Sequence, residues 1–145
     1  MAKTTNSNTV VILDDEIGHI VWMLDYFENK GLDYLPCSSA NEAIDILQEE
    51  IYRFAIIDLN VPISPPLDEA ARQLGEVYLR YPGLYVARRA RNMGYRDRQI
   101  VIYSVHRDES VTKIANQIGC TYILKGRPKE IKNELELVVS YDPTD

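Results

Sequence analysis

FAIIDLNVP, residues 54–62, combines a run of apolar residues with a single charged one. The run has no helical spacing, which predicts a strand that is buried on both faces of a sheet. Asp58 follows this strand directly, where the chain leaves the sheet, and Pro62 closes the segment. Because ligands of open α/β sheets bind at the carboxyl ends of the strands, Asp58 is a candidate site residue.

Length and charge restrict what the chain can be. Its 145 residues, 46% hydrophobic and 26% charged, predict a single soluble globular domain. The net charge of −6 argues against a nucleic-acid surface, and no apolar run approaches the roughly 20 residues of a membrane span. With no signal peptide in the polar first residues, we expect a cytoplasmic protein, and Cys37 and Cys120 as reduced thiols.

The order of apolar patterns predicts the fold class. Short β-branched or apolar runs predict strands at 9–13, 32–36, 52–58, 99–103 and 121–124. Helical periods lie between these runs and after the last one. This alternation predicts an α/β fold, a doubly wound parallel sheet of five strands flanked by helices. We expect one domain over 9–140, with 1–8 a disordered tail and 141–145 a second tail.

Residues 63–82 interrupt the alternation. Ser64-Pro65-Pro66 cannot continue a helix or an interior strand. An apolar stripe then predicts one extra inserted helix over 67–81, which Pro82-Gly83 ends. An amphipathic helix must bury its apolar face, so we expect this insertion to cover either its own domain or a partner.

Polar residues end four of the predicted strands, namely Asp14, Asp15, Asp58, Ser104 and Lys125. In a parallel sheet they project from one edge. Three neighbouring carboxylates repel one another unless they share a cation, and hard oxygen ligands suit Mg²⁺. A lysine and a hydroxyl suit phosphoryl oxygens, and an aspartate can attack phosphorus to give an acyl phosphate. The pattern therefore predicts Mg²⁺-assisted phosphoryl transfer onto Asp58.

Four motifs in this order resemble the receiver domain of two-component response regulators, such as the single-domain chemotaxis regulator. They are VILDDE at 11–16, IDLNVP at 57–62, IYS at 102–104 and GCTYILK at 119–125. The resemblance covers about residues 9–140 except the insertion, and it implies a CheY-like, flavodoxin-like sheet with strand order 2-1-3-4-5. It also implies that Asp58 is the phospho-acceptor. Mg²⁺ would be held by Asp15, Asp58 and the backbone carbonyl of Asn60, with Asp14 acting largely through water.

The resemblance implies a switch as well. Ser104 matches the hydroxyl that turns toward the phosphoryl group, Lys125 the lysine that pairs with it, and Tyr122 the aromatic that swings inward. The phosphodonor would be a sensor histidine kinase or a phosphotransfer protein. A downstream protein partner would bind the face of the family's fourth helix, fifth strand and fifth helix, or the inserted helix. Neither nucleic acid nor membrane is expected as a partner.

The sequence departs from the family pattern at three places, one of which is Val105, where the family usually has a smaller residue after the equivalent of Ser104. Gly126 and Arg127 separate Lys125 from Pro128, where the family has a proline directly after the lysine. The largest departure is the insertion, since the family places only a few residues between the equivalents of Pro62 and Gly83.

For the histidines and for three tyrosines the sequence predicts less specific roles. His19 and His106 are few and unpaired, and we expect surface or capping roles for them. The tyrosines at 78, 81 and 85 could form an interaction patch or pack in the core.

Three functions are compatible with these residues. The first is a stand-alone receiver, a signalling switch rather than an enzyme, because the chain ends soon after its last helix. The second is a receiver-like interaction module that is not phosphorylated. The third is a Mg²⁺-dependent hydrolase with Asp58 as its nucleophile, which Asn60 disfavours because such enzymes need a second carboxylate there.

Overall fold

The structure, a computed structural model, describes residues 4–106, 108–125 and 128–143. The strands in this part of the chain are β1 (Asn6–Leu13), β2 (Asp33–Cys37), β3 (Tyr52–Ile57), β4 (Ile100–Ser104) and β5 (Thr121–Leu124). The α-helices are α1 (Val21–Asn29), α2 (Ala40–Glu49), α3 (Leu67–Leu74), α4 (Glu76–Arg80), α5 (Pro82–Met93), α6 (Glu109–Ile118) and α7 (Pro128–Ser140). The strands form one parallel sheet in the order β2-β1-β3-β4-β5, so the predicted fold class and strand order are confirmed.

β3 is the central strand, and it is buried on both faces as predicted. Ala55 and Ile57 pack into the apolar cluster on one side of the sheet, whereas Phe54 and Ile56 pack into the cluster on the other. None of these side chains is more than 2% exposed. β3 pairs with β1 up to its last residue, and the N–H of Asp58 then donates to the carbonyl of Leu13 at 2.9 Å. The sheet thus delivers Asp58 next to the end of β1.

Each face of the sheet carries its own layer of helices. One cluster contains core residues of α1 and α7, and the other contains residues of α2, α3, α4, α5 and α6. In α1 the buried positions are Met23 and Phe27, whereas the apolar residue Val21 at its start is 51% exposed. The reason is local: residues Ile17–Ile20 form a 3₁₀ turn, so the helical phase is reset at Val21.

The insertion forms two short helices, so the prediction of a single helix over 67–81 is wrong. Gly75 separates α3 from α4 with φ 151° and ψ 152°, a backbone conformation that favours glycine. Ala71 of α3 and Tyr78 of α4 are buried in the domain's own core. The apolar side of the insertion therefore covers this domain. The tyrosines at 78, 81 and 85 are core residues, with exposed fractions of 5%, 7% and 3%.

Both ends of the domain extend beyond the predicted limits. β1 begins at Asn6, and Thr5 and Asn6 both donate their N–H to the carbonyl of Ile51, so the chain joins the sheet before residue 9. At the other end Pro143 is buried, and its carbonyl accepts a hydrogen bond from Arg96. Among the helices of the described residues, none combines the length and apolar character that crossing a membrane requires.

Candidate functional site

The polar residues predicted from the strand ends lie at one edge of the sheet. Asp14 follows β1, Asp58 follows β3, Ser104 ends β4 and Lys125 follows β5. A pocket at this edge is lined by Asp14, Asp15, Glu16, His19, Asp58, Asn60, Val105, His106 and Lys125. All predicted metal ligands and the predicted lysine thus line a single pocket. Ser104 is 1% exposed and does not line the pocket itself. Its Oγ accepts a hydrogen bond from the N–H of His106, which does line the pocket.

Three of the four acidic residues that line the pocket form a cluster. Asp14, Asp15 and Asp58 each offer an oxygen, and these oxygens lie within 4.8 Å of one another. Asp14 is buried and held in place, since its Oδ1 accepts a 2.8 Å hydrogen bond from the N–H of Glu16. Asp15 is exposed. An all-oxygen donor set with an excess of negative charge fits a hard divalent cation such as Mg²⁺.

Among the residues that the structure describes, Lys125 is the cation paired with a carboxylate of this pocket. Its Nζ lies 3.8 Å from Oδ2 of Asp58, and the two side chains are only 27% and 15% exposed. Burial raises the pKa of Asp58, the charge of Lys125 opposes that rise, and the charge of Asp14 adds to it. The backbone N–H groups of Asn60 and Leu59 also lower the pKa of Asp58 by hydrogen bonding to its carboxylate. One cation therefore offsets only part of the negative charge in the pocket.

His106 joins the predicted switch residues to the pocket. Its N–H donates to Oγ of Ser104 at 3.1 Å, and its carbonyl accepts from the hydroxyl of Tyr122 at 2.5 Å. Its Nε2 lies 2.7 Å from Nδ2 of Asn60, which makes a side-chain hydrogen bond at the rim of the pocket. From the sequence, only a surface or capping role was expected for His106. Its position two residues after Ser104, in the loop at the carboxyl edge, was the available signal.

The insertion reaches the site at Tyr81. The ring of Tyr81 packs on the ring of His106, with centroids 4.8 Å apart and the planes tilted by 58°. Its hydroxyl donates to Oδ2 of Asp108 at 2.7 Å, just before α6. Tyr81, the residue that follows α4, therefore contacts the β4–α6 loop at two positions, His106 and Asp108.

Gly83 allows α5 to start against the backbone of Asp58. A Cβ at position 83 would lie 2.2 Å from the carbonyl oxygen of Asp58 and 2.7 Å from Cα of Leu59. The N–H of Gly83 also donates to the carbonyl of Leu59 at 3.1 Å. Only glycine fits this close approach between helix and loop. Another departure from the family pattern, Gly126 and Arg127, lies outside the described residues.

Comparisons with known proteins relate this geometry to one fold. No family model and no curated protein sequence matches the chain. A CheY-like receiver domain protein from Methanospirillum hungatei JF-1 has a TM-score of 0.69 at 13% identity, over 92% of this chain and 94% of that one. The BeF3-activated N-terminal receiver domain of Klebsiella pneumoniae RstA has a TM-score of 0.68 at 15% identity, over 92% of this chain and 100% of that one.

A third solved structure agrees with these two. The chemotaxis protein CheY4 of Vibrio cholerae has a TM-score of 0.65 at 15% identity, over 91% of this chain and 98% of that one. Such low identities with near-complete coverage describe a shared architecture. Together with the strand order 2-1-3-4-5, they show that this chain has the fold of CheY-like response regulator receiver domains.

Proposed function

We propose that this protein is a phosphorylatable receiver that accepts a phosphoryl group on Asp58 in the presence of Mg²⁺. The observation that carries the proposal is the juxtaposition of three carboxylates and Lys125 in one pocket of a receiver fold. This arrangement pairs a candidate nucleophile with groups that can neutralise a phosphoryl group.

In the proposed reaction an oxygen of Asp58 attacks the phosphorus of a phosphohistidine or a small acyl phosphate. A bond forms between phosphorus and that oxygen, and the bond to the donor breaks with its electron pair staying on the donor. A donor imidazole nitrogen then takes up a proton from solvent. The half-buried position of Asp58 suits this role, because its ionised oxygen is only partly solvated.

The other residues of the pocket would neutralise charge. Asp14, Asp15, Asp58 and the backbone carbonyl of Asn60 would hold Mg²⁺, which would supply positive charge beside the transferring phosphoryl oxygens. Lys125 is 3.8 Å from Asp58, close enough to pair with the phosphoryl group after transfer.

The proposed output is a rearrangement around Ser104. Turning its hydroxyl toward the phosphoryl group would alter the hydrogen bond from the N–H of His106, and the bond between Tyr122 and His106 would change with it. Such a local change can bias a two-state element. The surface of α6, β5 and α7 would then bind a downstream protein differently. The phosphodonor would be a cytoplasmic sensor histidine kinase or phosphotransfer protein, and the receiver itself would be a switch rather than an enzyme with turnover.

The proposal is tested with purified protein, Mg²⁺ and acetyl phosphate, followed by mass measurement of the intact chain. We expect one phosphoryl adduct on the wild type. The adduct should be absent in Asp58→Asn and strongly reduced in Asp15→Asn. Asp45→Asn is the matched control, because Asp45 is an exposed carboxylate on α2 outside the pocket.

The alternatives give different results in the same experiment. An interaction module without phosphorylation gives no adduct on the wild type. A hydrolase releases phosphate steadily from unrelated phosphoesters, and this release stops in Asp58→Asn. An adduct that persists in Asp58→Asn would contradict Asp58 as the acceptor.

A further inference from the structure

The contact between the insertion and the pocket is the feature of this molecule that its receiver fold does not account for. Tyr81 follows α4 and is 7% exposed, so its ring is fixed within the domain. That ring packs on His106, and its hydroxyl holds Asp108. One side chain of the insertion thereby holds two residues of the β4–α6 loop.

We infer that Tyr81 is a positioning residue for the acyl phosphate of Asp58, acting through His106. The inference rests on the proposed phosphorylation and adds a role for the insertion in it. His106 does not touch Asp58 in the described contacts, but it lines the same pocket. Tyr81 keeps the His106 ring at the rim, within hydrogen-bond reach of Asn60.

The position of His106 matters for two reasons. Its hydrogen bond with Asn60 joins two residues that line the pocket around Asp58, and we expect this contact to restrict the access of water to Asp58. Its backbone also binds Ser104 and Tyr122, the two predicted switch residues. A side chain that holds His106 therefore affects both water access and the arrangement of the switch.

The rate at which water hydrolyses the acyl phosphate on Asp58 depends on how the rim of the pocket is arranged. A water oxygen attacks phosphorus, the bond from phosphorus to the Asp58 oxygen breaks, and the carboxylate leaves with the electron pair. The proton of the water passes to inorganic phosphate or to solvent. When Tyr81 no longer holds the His106 ring at the rim, water reaches the acyl phosphate more easily and its lifetime falls.

The experiment measures the decay of the phosphoryl adduct after the phosphodonor is removed by desalting, with Mg²⁺ retained, by intact-chain mass. Tyr81→Leu removes the ring contact and should shorten the lifetime by about three-fold or more, the scale of one aromatic contact. Tyr81→Phe keeps the ring on His106 and loses only the bond to Asp108, so its lifetime should stay within about two-fold of the wild type.

Two further variants distinguish a specific effect of Tyr81 on His106 from a general loss of packing in the insertion. Tyr78→Leu is the matched control, because Tyr78 is buried in the same insertion and its hydroxyl binds Arg88 instead of the β4–α6 loop. Its adduct should decay as in the wild type. His106→Ala should shorten the lifetime as Tyr81→Leu does, and the double variant should decay no faster than either one, since both changes act on one contact.

Each outcome is decisive. Equal lifetimes for the wild type and Tyr81→Leu, or an equal shortening in Tyr78→Leu, would overturn the role of Tyr81 while leaving phosphorylation established. Additive effects of Tyr81→Leu and His106→Ala would overturn the route through His106. Absence of any adduct on the wild type would overturn the proposed function and this inference with it. Thermal unfolding of every variant shows that each chain is folded at the assay temperature.

Discussion

Asp58 lies between opposing electrostatic effects. Burial disfavours its charged form and the neighbouring Asp14 adds to that effect, so its pKa rises. Lys125, with its Nζ 3.8 Å away, opposes the rise. A fully solvated carboxylate would be shielded by water, whereas an unpaired buried one would be protonated. With 15% of its side chain exposed and Lys125 beside it, the carboxyl group of Asp58 is covered by water only in part.

The backbone at Asp58 depends on one residue without a side chain. Gly83→Ala would add a Cβ that lies 2.2 Å from the carbonyl oxygen of Asp58. Because the obstructing atoms are backbone, they cannot rotate away, and α5 or the loop must shift. We expect the free energy of unfolding in urea to fall by about 1–3 kcal/mol, the range of overpacked sites.

Gly18→Ala is the control for this substitution. A Cβ at Gly18 meets no heavy atom within 4 Å, so the free energy of unfolding should change by less than about 0.5 kcal/mol. Similar losses at both positions would show that the close approach at Gly83 is not what limits the residue type.

At the scale of elements, the insertion is built as part of the domain. α3 and α4 each bury one side chain deeply, Ala71 at 0% exposure and Tyr78 at 5%. Leu74, on the same helix as Ala71, is 47% exposed. Ala71 and Leu74 are three residues apart on the same side of α3, so they differ because Leu74 is the last residue of the helix, whereas Ala71 is covered by the core and removes its apolar surface from water.

This difference predicts opposite outcomes for the same substitution on α3. Ala71→Glu places a carboxylate in the core, and we expect the free energy of unfolding to fall by about 3 kcal/mol or more. Leu74→Glu places the same charge in solvent, and the change should stay within about 0.5 kcal/mol. Urea denaturation measures both. A large loss for Leu74→Glu would mean that the end of α3 is also packed.

The elements also show what sequence patterns can and cannot predict. The predicted limits of β5 agree with the structure, because Gly119 ends α6 just before this strand with a φ of 85° that favours glycine, and this signal is local. The break at Gly75 was missed, because the apolar period continues across it. The contact between Tyr81 and His106 could not be predicted, because it joins residues far apart in the sequence through the packing of the insertion.

At the scale of the whole molecule, the strand order assembles the pocket. β1 and β3 are adjacent at the centre, which brings Asp14 beside Asp58. β4 and β5 follow on one side, so Ser104 and Lys125 approach Asp58 from that side. The pattern of strand ends indicated these residues, but only the sheet order explains their arrangement. The pocket also concentrates negative charge in a chain whose net charge is already −6.

This concentration of charge predicts that Mg²⁺ stabilises the folded protein. A ligand that binds only the native state adds about 1.4 kcal/mol to the free energy of unfolding when its concentration is about ten times the dissociation constant. We expect the melting temperature to rise with added MgCl₂ at constant ionic strength. The rise should be lost in Asp15→Asn, which removes one of the clustered carboxylates, and kept in Asp45→Asn on the exposed side of α2.

The gain in melting temperature from Mg²⁺ should also depend on pH, and the protonation of Asp58 sets the direction of that dependence. Its raised pKa means that the folded protein takes up a proton there at a higher pH than the unfolded chain does. Without Mg²⁺, protonation relieves an unfavourable buried charge, so the contribution of Asp58 to stability improves as the pH falls. With Mg²⁺ the same proton competes with the metal, so the gain in melting temperature should shrink as the pH falls toward the raised pKa of Asp58. A gain that is independent of pH, or equal in Asp15→Asn, would mean that Mg²⁺ binds elsewhere on the chain.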